Sequence, residues 1–251
     1  MNHNEYQMMF ELETVYWWFV GRRIILADTI QRHIASPVEQ AFDIGCGTGG
    51  NLPILSRFSK AVIGLDTSPQ ALDYCRSRGW SSVELIQKDG ILRFADATAD
   101  LVTMLDILEH VADERPLLAE IRRILRPDGL LIVTVPAFQF LWSEHDAALH
   151  HYRRYTKQHI IRLLADQGFE IISASYVITF SFPLIVLYRV LKGALNFFST
   201  NTAKTSYVRL PDILNTFFIR ILAWESKLLA YITFPFGTSV LVVATKLKPI
   251  H

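Results

Sequence analysis

From about residue 40, short apolar runs alternate with segments whose apolar positions recur at helical spacing. Alternation of this kind predicts an α/β fold with a doubly wound, mostly parallel sheet and helices on both faces. Ligands bind such sheets beyond the carboxyl ends of the strands. The predicted strands are Ala41–Ile44, Ala61–Leu65, Val83–Ile86, Leu101–Leu105, Leu130–Val135, Glu170–Thr179 and Ser239–Lys246. The helices predicted between them are Leu52–Phe58, Ser68–Arg78, Asp113–Leu125 (stopped by Pro127-Asp128-Gly129) and Thr156–Gln167.

Residues 3–33 are predicted to form two helices ahead of the sheet, because apolar positions have helical spacing in each half. Between the two helices, four consecutive aromatic residues lie beside two arginines. Two interpretations fit this segment. It caps a ligand cleft, with Trp17, Trp18 and Arg22 binding the substrate, or its rings pack the helix pair onto the core.

The segment Phe42–Asn51 joins the first strand to the first helix of the sheet and is rich in glycine. Glycine is needed where a strand turns sharply into a helix and its backbone contacts a ligand. The exposed amides and the positive helix end favour an anionic or electron-rich group. Gly45, Gly47 and Gly50 also satisfy the dinucleotide pattern G-x-G-x-x-G, with Asp66 at about the right distance for a ribose. The glycine loop alone therefore leaves the nucleotide undecided.

Acidic residues lie at or just after the ends of four successive predicted strands: Asp43, Asp66, Asp89 and Asp106. Because the carboxyl ends of parallel strands meet at one edge of a sheet, we expect these carboxylates to lie near one site. Any one of them also fits a turn or helix-cap residue. In register with a glycine loop, the set favours a ligand site over separate turn residues.

Five motifs, in order along the chain, resemble those of class I S-adenosylmethionine (SAM) dependent methyltransferases: Asp43–Gly49, Gly64–Ser68, Asp89-Gly90, Asp106–Val111 and Arg126–Leu131. The resemblance implies a seven-stranded Rossmann-like sheet whose last two strands are antiparallel, with SAM as methyl donor. The glycine loop would hold the methionine end of SAM, Asp66 the ribose hydroxyls and Asp89 the adenine amino group. Asp106 would lie near the transferring methyl or the methionine amino group. The cofactor-binding residues so implied are Asp43, Gly45, Cys46, Gly47, Asn51, Asp66, Thr67, Asp89, Gly90, Asp106 and Ile107.

The charge of SAM separates the two nucleotide interpretations. SAM is a sulfonium with an ammonium and a carboxylate, so its site needs acids as well as backbone donors. Asp43, ahead of the first glycine, suits an ammonium and is awkward beside a pyrophosphate. Gly90 departs from the family, which often has another small residue there. The net charge of +1 gives no argument for nucleic acid, and two cysteines suit a reducing compartment.

A narrower resemblance lies outside the core, in the segments Glu13–Arg23, His145–Tyr155 and Pro211–Ser239. They resemble a bacterial subgroup often associated with glycosyltransferases and with surface-polysaccharide or lipid-linked sugar pathways. This implies O-methylation of a sugar, a lipid-linked sugar or a similar amphiphilic acceptor. The alternatives are a methyltransferase of a quinone precursor or small phenol, a SAM-binding regulator without catalysis, and a nicotinamide-dependent oxidoreductase.

The segment Leu141–Tyr155 follows the fifth strand and concentrates histidines and arginines. Methyl transfer to a hydroxyl needs the acceptor held in line and its proton removed, and a histidine oriented by an acid suits that role. The predicted catalytic residues are His151 or His145 as base and Asp146 as orienter. The predicted substrate-binding residues here are Arg153, Arg154 and Tyr155, the arginines for an anionic group. No ligand spacing is strong enough to predict a metal, and capping of the helix from Thr156 is a further interpretation of this segment.

Between the sixth and seventh strands lies an apolar, basic insertion with helical patterns at Pro183–Phe198 and Pro211–Ile232. Each pattern is too charged or too short to span a bilayer comfortably. A membrane interface or lipid-tail site, a lid, and a dimer interface all fit it. The chain is predicted to be one domain over 1–251, and the protein to be cytoplasmic, with peripheral membrane attachment through 181–236. Its parts are a helical cap at 1–36, a SAM-binding core at 37–180 and 237–251, and the insertion at 181–236.

Overall fold

A computed structural model describes residues 3–87, 89–188 and 210–247. Its centre is one seven-stranded sheet in the order β3-β2-β1-β4-β5-β7-β6, in which β7 runs antiparallel to the other six strands. This confirms the predicted fold, including the antiparallel last pair. The strands are β1 (Val38–Ile44), β2 (Ser59–Asp66), β3 (Val83–Leu85), β4 (Ala99–Leu105), β5 (Leu125–Pro136), β6 (Phe169–Val177) and β7 (Ser239–Lys246).

Helices cover both faces of the sheet. Side-chain caps mark two of their starts: the Ser68 hydroxyl accepts from the Ala71 amide at 3.4 Å, and the Thr156 hydroxyl from the His159 amide at 3.2 Å. Residues 182–188 are also helical. The helices with assigned bounds are α1 (His3–Leu12), α2 (Trp17–His33), α3 (Leu52–Leu55), α4 (Pro69–Ser77), α5 (Arg115–Ile124), α6 (Glu144–Ala148), α7 (Lys157–Asp166) and α8 (Asp212–Leu228).

Two apolar layers hold the sheet, one on each face, because successive side chains of a strand point to opposite faces. Phe42 and Met104 belong to the layer that α5 and α7 complete, and Ala41 and Leu101 to the layer under α2, α3 and α4. The central strands are therefore buried on both faces, which is why they read as continuous apolar runs.

The start of β5 and the end of α3 differ from their predicted positions. Strand β5 begins at Leu125, directly after α5, so Pro127-Asp128-Gly129 lies inside the strand and does not separate it from the helix. The chain accommodates it with a positive φ of 65° at Asp128 and a register shift against β4 between Ala99 and Leu101. Helix α3 ends at Leu55 and does not reach Phe58, because the chain must already turn into β2 at Ser59.

Helix α8, from the predicted insertion, packs along α2. Leu222 lies against Gly21, where a side chain on the glycine would collide with it. The Asn215 carboxamide accepts from the Trp17 amide at 2.8 Å and so caps α2. The N-terminal cap and the insertion are thus one layer over the sheet. The remainder of the pattern predicted at Pro183–Phe198, from residue 189, lies outside the described residues.

Candidate active site

A cleft of about 1530 Å³ opens at the carboxyl ends of β1, β2 and β4. The side chains that line it come from α1, α2, the loops after these strands, the histidine segment and the start of the insertion. This is the edge at which doubly wound sheets bind ligands. Of the predicted cofactor residues, the cleft is lined by Gly45, Cys46, Gly47, Asn51, Asp66, Thr67, Asp89, Gly90, Asp106 and Ile107.

Asp66 holds the glycine loop in place. Its Oδ2 accepts from the Gly47 amide and its Oδ1 from the Ser68 amide, both at 2.9 Å. Burial raises the pKa of Asp66 against the effect of these hydrogen bonds. Gly45 and Gly47 have φ of 70° and 55°, which glycine adopts without strain, and a side chain on Gly45 would collide with Ile107. The loop therefore presents bare backbone to the cleft.

Glu13, the residue directly after α1, fastens the N-terminal helix to the same loop. Its Oε1 accepts from the Thr48 hydroxyl at 2.7 Å and pairs with Arg78 at 2.6 Å. A side chain on Gly50 would collide with the Glu13 carboxylate. The sequence analysis did not predict this contact. The signal that could have indicated it is the helical spacing of Glu13 with the apolar residues of α1, which places an acid on the helix face that is buried. The buried carboxylate ties the cap to the glycine loop.

Asp43 lies behind the glycine loop and does not line the cleft. It is 1% exposed, and its Oδ1 accepts from the Thr103 hydroxyl at 2.6 Å. Its Oδ2 has no hydrogen-bond partner within the described parts of the chain. Burial raises the pKa of Asp43 to about 7.

The buried acids fit a cationic cofactor better than a pyrophosphate. Asp66 lies at the glycine loop and Asp106 lines the same cleft, while Asp43 is buried behind the loop. Carboxyl groups around one ligand would disfavour phosphates and favour an ammonium or a sulfonium. The residues present therefore fit SAM.

Asp89 lies at the rim of the cleft, on the loop after β3. Its Oδ1 accepts from the Ile91 amide at 3.1 Å, and its Oδ2 pairs with Arg93 at 2.9 Å. The Ile91 amide and Arg93 lower the pKa of Asp89. Its predicted contact with adenine stays a prediction.

Asp106, at the end of β4, is ion-paired with Arg22 of α2. Thr134 joins the pair: its hydroxyl donates to Asp106 at 3.0 Å and accepts from Arg22 at 2.7 Å. The Arg22 guanidinium also stacks on Trp18, 4.3 Å from the ring centroid. Arg22 is therefore engaged by protein groups in the cleft wall, while Trp18 presents its ring to the cleft.

Trp17 both packs against the core and lines the cleft, so both interpretations of the aromatic segment apply to it. It is 8% exposed and packs on Phe218 of α8, with ring centroids 5.0 Å apart, yet part of it lines the cleft. The segment Trp17–Arg22 therefore packs the helix pair onto the core and walls the cleft at once.

The histidine segment contains a hydrogen-bonded His151–Asp146 pair. Nδ1 of His151 lies 3.0 Å from Oδ1 of Asp146, which is fully buried. Arg154 binds both carboxylate oxygens, at 2.7 and 3.0 Å. Burial acts to raise the pKa of Asp146, but the hydrogen bonds from His151 and Arg154 together lower it. Asp146 is thus a fixed anion that orients His151.

Three predicted substrate residues have partners within the protein. Arg153 is ion-paired with Glu114 and donates to the Ala112 carbonyl at 2.7 Å, so it does not line the cleft. Tyr155 lies in the core and not at the cleft, since its hydroxyl donates to Glu114 at 2.9 Å, and burial raises its pKa. Arg154 lines the cleft, but its guanidinium is hydrogen-bonded to Asp146. His145 also lines the cleft, and its predicted role as base stays a prediction.

Glu109 and His110 complete the cleft beside His151. Glu109 is fully buried, and neither carboxylate oxygen has a hydrogen-bond partner in the described residues. Burial and the nearby Asp106 raise the pKa of Glu109. The rings of His110 and His151 are 4.6 Å apart, edge to face, and burial, together with the electrostatic effect of the neighbouring His151, lowers the pKa of His110 to about 4. Sequence reasoning left His110 without a role and did not consider Glu109; the motif Asp106–Val111 was the signal.

Comparison with known proteins agrees with this geometry. Residues 42–133 match the family model described as a methyltransferase domain. A protein of Mycobacterium tuberculosis described as a probable S-adenosylmethionine-dependent methyltransferase is 28% identical over 162 residues, 63% of this chain and 58% of the relative. The demethylmenaquinone methyltransferase of Tropheryma whipplei is 32% identical over 97 residues, 38% of this chain and 41% of the relative. The chain thus spans less than two thirds of these relatives.

Among solved structures, the methyltransferase in complex with the Trm112 methyltransferase activator of Haloferax volcanii has the same fold. The TM-score is 0.58 at 18% identity, over 98% of this chain and 95% of that one. Residues 42–133 therefore match a methyltransferase domain, and the fold and the cleft agree with that match. The cofactor that the cleft and the relatives' description both indicate is S-adenosylmethionine.

Proposed function

We propose that the protein transfers a methyl group from SAM to a hydroxyl oxygen of an amphiphilic acceptor such as a sugar or lipid-linked sugar. The observation that carries this proposal is the His151–Asp146 pair in the wall of the cleft that the glycine loop also lines. Bound SAM supplies a methyl group on a positively charged sulfur. When the carbon–sulfur bond breaks, the sulfur keeps the electron pair and becomes neutral.

The protein's task at the acceptor is to hold the oxygen and take its proton. The Asp146 carboxylate, fixed by Arg154, holds Nδ1–H of His151 and leaves Nε2 free to accept. An oriented histidine of this kind contributes about 10²–10⁴-fold to proton transfer. The wall of the cleft also excludes water and aligns the acceptor, which itself lowers the barrier.

An apolar wall favours an acceptor with a hydrocarbon part. Side chains from the insertion line the same cleft as the histidine segment: Leu184, Ile185, Tyr188, Leu210 and Phe218. Such a wall binds an apolar tail, whereas the polar end of the acceptor meets His151 and His145. This division supports the amphiphilic acceptor and the lid or lipid-tail interpretations of the insertion.

The outer face of α8 supports membrane attachment. Within the described residues, every helix is too short or too polar to cross a bilayer. Six residues spaced three or four apart along α8 and just past its end form one exposed stripe of rings, aliphatic chains and cations. They are Ile213, Phe217, Arg220, Trp224, Lys227 and Tyr231. Ile213 is 84% and Trp224 73% exposed. Aromatic and basic residues on one helix face suit the headgroup region of an anionic bilayer.

We therefore place the enzyme at the cytoplasmic face of a membrane, from which an acceptor with a lipid tail enters the cleft. The free thiols of Cys46 and Cys75, buried with sulfurs 3.9 Å apart, fit a reducing compartment.

Methyl transfer is tested with labelled SAM and extracts of the source organism, separated into lipid and water-soluble products. We expect label in an amphiphilic product, with the rate reduced about 100-fold or more in His151→Ala. His159→Ala, on α7 away from the cleft, is the matched control. Label confined to water-soluble products, or an unchanged rate in His151→Ala, would contradict the proposal.

A second candidate acceptor is a quinone precursor or small phenol, favoured by the likeness to a demethylmenaquinone methyltransferase. The same labelling experiment decides, since the product would then absorb as a quinone or phenol. Calorimetric titration with S-adenosylhomocysteine (SAH) and with NAD distinguishes either kind of methyltransferase from a nicotinamide-dependent enzyme. Binding of NAD without SAH would rule out methyl transfer, and SAH binding without any labelled product would favour a SAM-binding regulator.

Membrane attachment is tested by co-sedimentation with vesicles that contain anionic phospholipid. We expect binding that weakens with salt and is lost when Phe217 and Trp224 are both replaced by serine. Ile172→Ser, at an exposed isoleucine of β6, is the control and should bind normally. Failure of the unsubstituted protein to bind at low salt would remove the membrane proposal.

A further inference from the structure

Glu109, His110 and His151 meet in the wall of the cleft. Each offers one ligand atom, and these atoms all lie within 4.8 Å of one another. We propose that these three side chains bind one divalent transition-metal ion. The ion would lie where the cleft receives the acceptor, beside the pair formed by Asp106 and Arg22.

The Glu109 carboxyl group indicates a missing partner. It is fully buried, and both oxygens lack a hydrogen-bond partner among the residues that the structure describes. Buried polar groups are nearly always paired, because leaving one unpaired forfeits its hydration. Arg22 and Arg154 act on Glu109 through their charge but donate no hydrogen bond to it. A metal ion would give the carboxylate a direct partner.

The histidines are arranged as ligands. Nδ1 of His151 is held by Asp146, and the His110 ring packs edge to face on the His151 ring, with centroids 4.6 Å apart. The His151 ring therefore has one nitrogen anchored and the other available to the ion. Metal-binding histidines almost always anchor the second nitrogen to a carboxylate or backbone carbonyl, which fixes tautomer and orientation. Asp146 would thus be the outer-shell partner of His151.

The donor set selects the kind of ion. Two imidazole nitrogens and one carboxylate suit Zn²⁺, Fe²⁺ or Co²⁺, whereas Mg²⁺ and Ca²⁺ prefer oxygen ligands. Three protein ligands leave coordination positions open, as in catalytic metal sites. Asp146 is not a further ligand, because Arg154 donates to both of its carboxylate oxygens.

The role of the ion rests on the proposed methyl transfer to a hydroxyl. An acceptor hydroxyl bound to the ion has a lowered pKa, and its proton passes to water. Nε2 of His151 cannot bind the ion and accept a proton at the same time. In the metal-loaded protein the ion, and not His151, therefore activates the hydroxyl. Replacing His151 still lowers the rate, because it removes a ligand of the ion.

The test is titration of chelator-treated protein with Co²⁺, followed by visible absorption. We expect about one Co²⁺ per chain, with binding more than about 100-fold weaker in Glu109→Gln, His110→Ala and His151→Ala, since even outer-shell changes cost about 10–100-fold. His145→Ala, in the same cleft, is the matched control and should bind normally. Circular dichroism verifies that each variant is folded. No Co²⁺ spectrum, or a spectrum that survives all three substitutions, overturns the site.

The outcomes distinguish failure of the metal site from failure of the proposed methyl transfer. Co²⁺ binding with the expected variants but no labelled product would leave the site intact and reject the proposed function. Full methyl transfer by chelator-treated protein that refuses Co²⁺ would reject the site and leave the function intact. Co²⁺ binding with a transfer rate that chelation does not change would overturn the ion's role at the acceptor.

Discussion

Arg22 of α2 is ion-paired with Asp106 at the end of β4, and both side chains also bond the Thr134 hydroxyl. The two side chains are 17% and 20% exposed, so water compensates little if one is removed. We expect Arg22→Ala to lower the free energy of unfolding by about 1–3 kcal/mol, the usual cost for a charged hydrogen bond. It should also weaken SAH binding, because Asp106 is left free to move.

Urea denaturation and calorimetry measure both effects. Arg115→Ala removes an exposed pair with Asp113 and is the control, for which little change is expected. A variant of Arg22 as stable as the control would show that the pair does not hold α2 to the sheet.

Asp66 should matter for SAM through the shape of the glycine loop as well as through its predicted ribose contact. Its carboxylate fixes the Gly47 and Ser68 amides. We expect Asp66→Ala to weaken SAH binding about 10–100-fold, equivalent to one or two charged hydrogen bonds. Asp73→Ala, on the exposed side of α4, is the control. Wild-type affinity in Asp66→Ala, measured by calorimetry, would refute both roles.

Asp43 should make the protein less stable as pH rises from about 4 to 7. Burial raises its pKa from 3.8 to about 7, so in this range the folded state binds a proton that the unfolded state has lost. The stability that this proton supplies is complete below the unfolded pKa and is lost as pH passes the folded pKa. Burial raises the pKa of Asp66 and Glu13 too, which adds to the same trend.

We expect Asp43→Asn, which cannot ionise, to flatten this pH dependence and to gain stability relative to wild type between pH 5 and pH 8. Denaturation at both pH values measures it. An equal slope in the variant and the wild type would mean that Asp43 does not titrate in this window.

Glu225 should determine whether α8 stays on the sheet. Its buried carboxylate accepts from the backbone amides of Ile178, Thr179 and Phe180, just after β6. We expect Glu225→Ala to lower the free energy of unfolding by about 2–5 kcal/mol, because three buried donors lose their partner. Glu225→Gln keeps one acceptor oxygen and should lie between.

Hydrogen exchange shows where the effect falls. Faster exchange in α8 and after β6, with β1 and β4 unchanged, is the expected pattern. A uniform increase across the sheet would mean that Glu225 supports the core and not the attachment of α8.

Much of the fold was predictable because its signals are local. Strand β7 was predicted at its observed bounds, Ser239–Lys246, since a buried strand reads as an apolar run. The start of β5 was not, because the turn residues Pro127-Asp128-Gly129 contradict strand propensity. Hydrogen bonding to β4 keeps these residues in the strand despite their low strand propensity. Pairing between strands that are distant in sequence cannot be read from the local sequence pattern.

The candidate site divides in the same way. Asp66 and Asp106 were predictable because the end of a strand can be read from the chain and the edge of a parallel sheet collects such ends. The partners of Arg154 and Tyr155 were not. Both were expected at the ligand, yet they bond Asp146 and Glu114, which are acids that compete for any nearby cation or hydroxyl.

The sequence by itself thus determined the doubly wound sheet, the glycine loop and the acids around it, because alternation, glycine and chain order are local properties. Only the tertiary structure decided that Glu109 and His110, which are neighbours in the chain, lie beside His151, 42 and 41 positions further along. It alone decided that α8 packs along α2 and exposes a stripe of aromatic, aliphatic and basic side chains on its outer face. Distances between segments far apart in the chain are set by packing, and no local pattern records them.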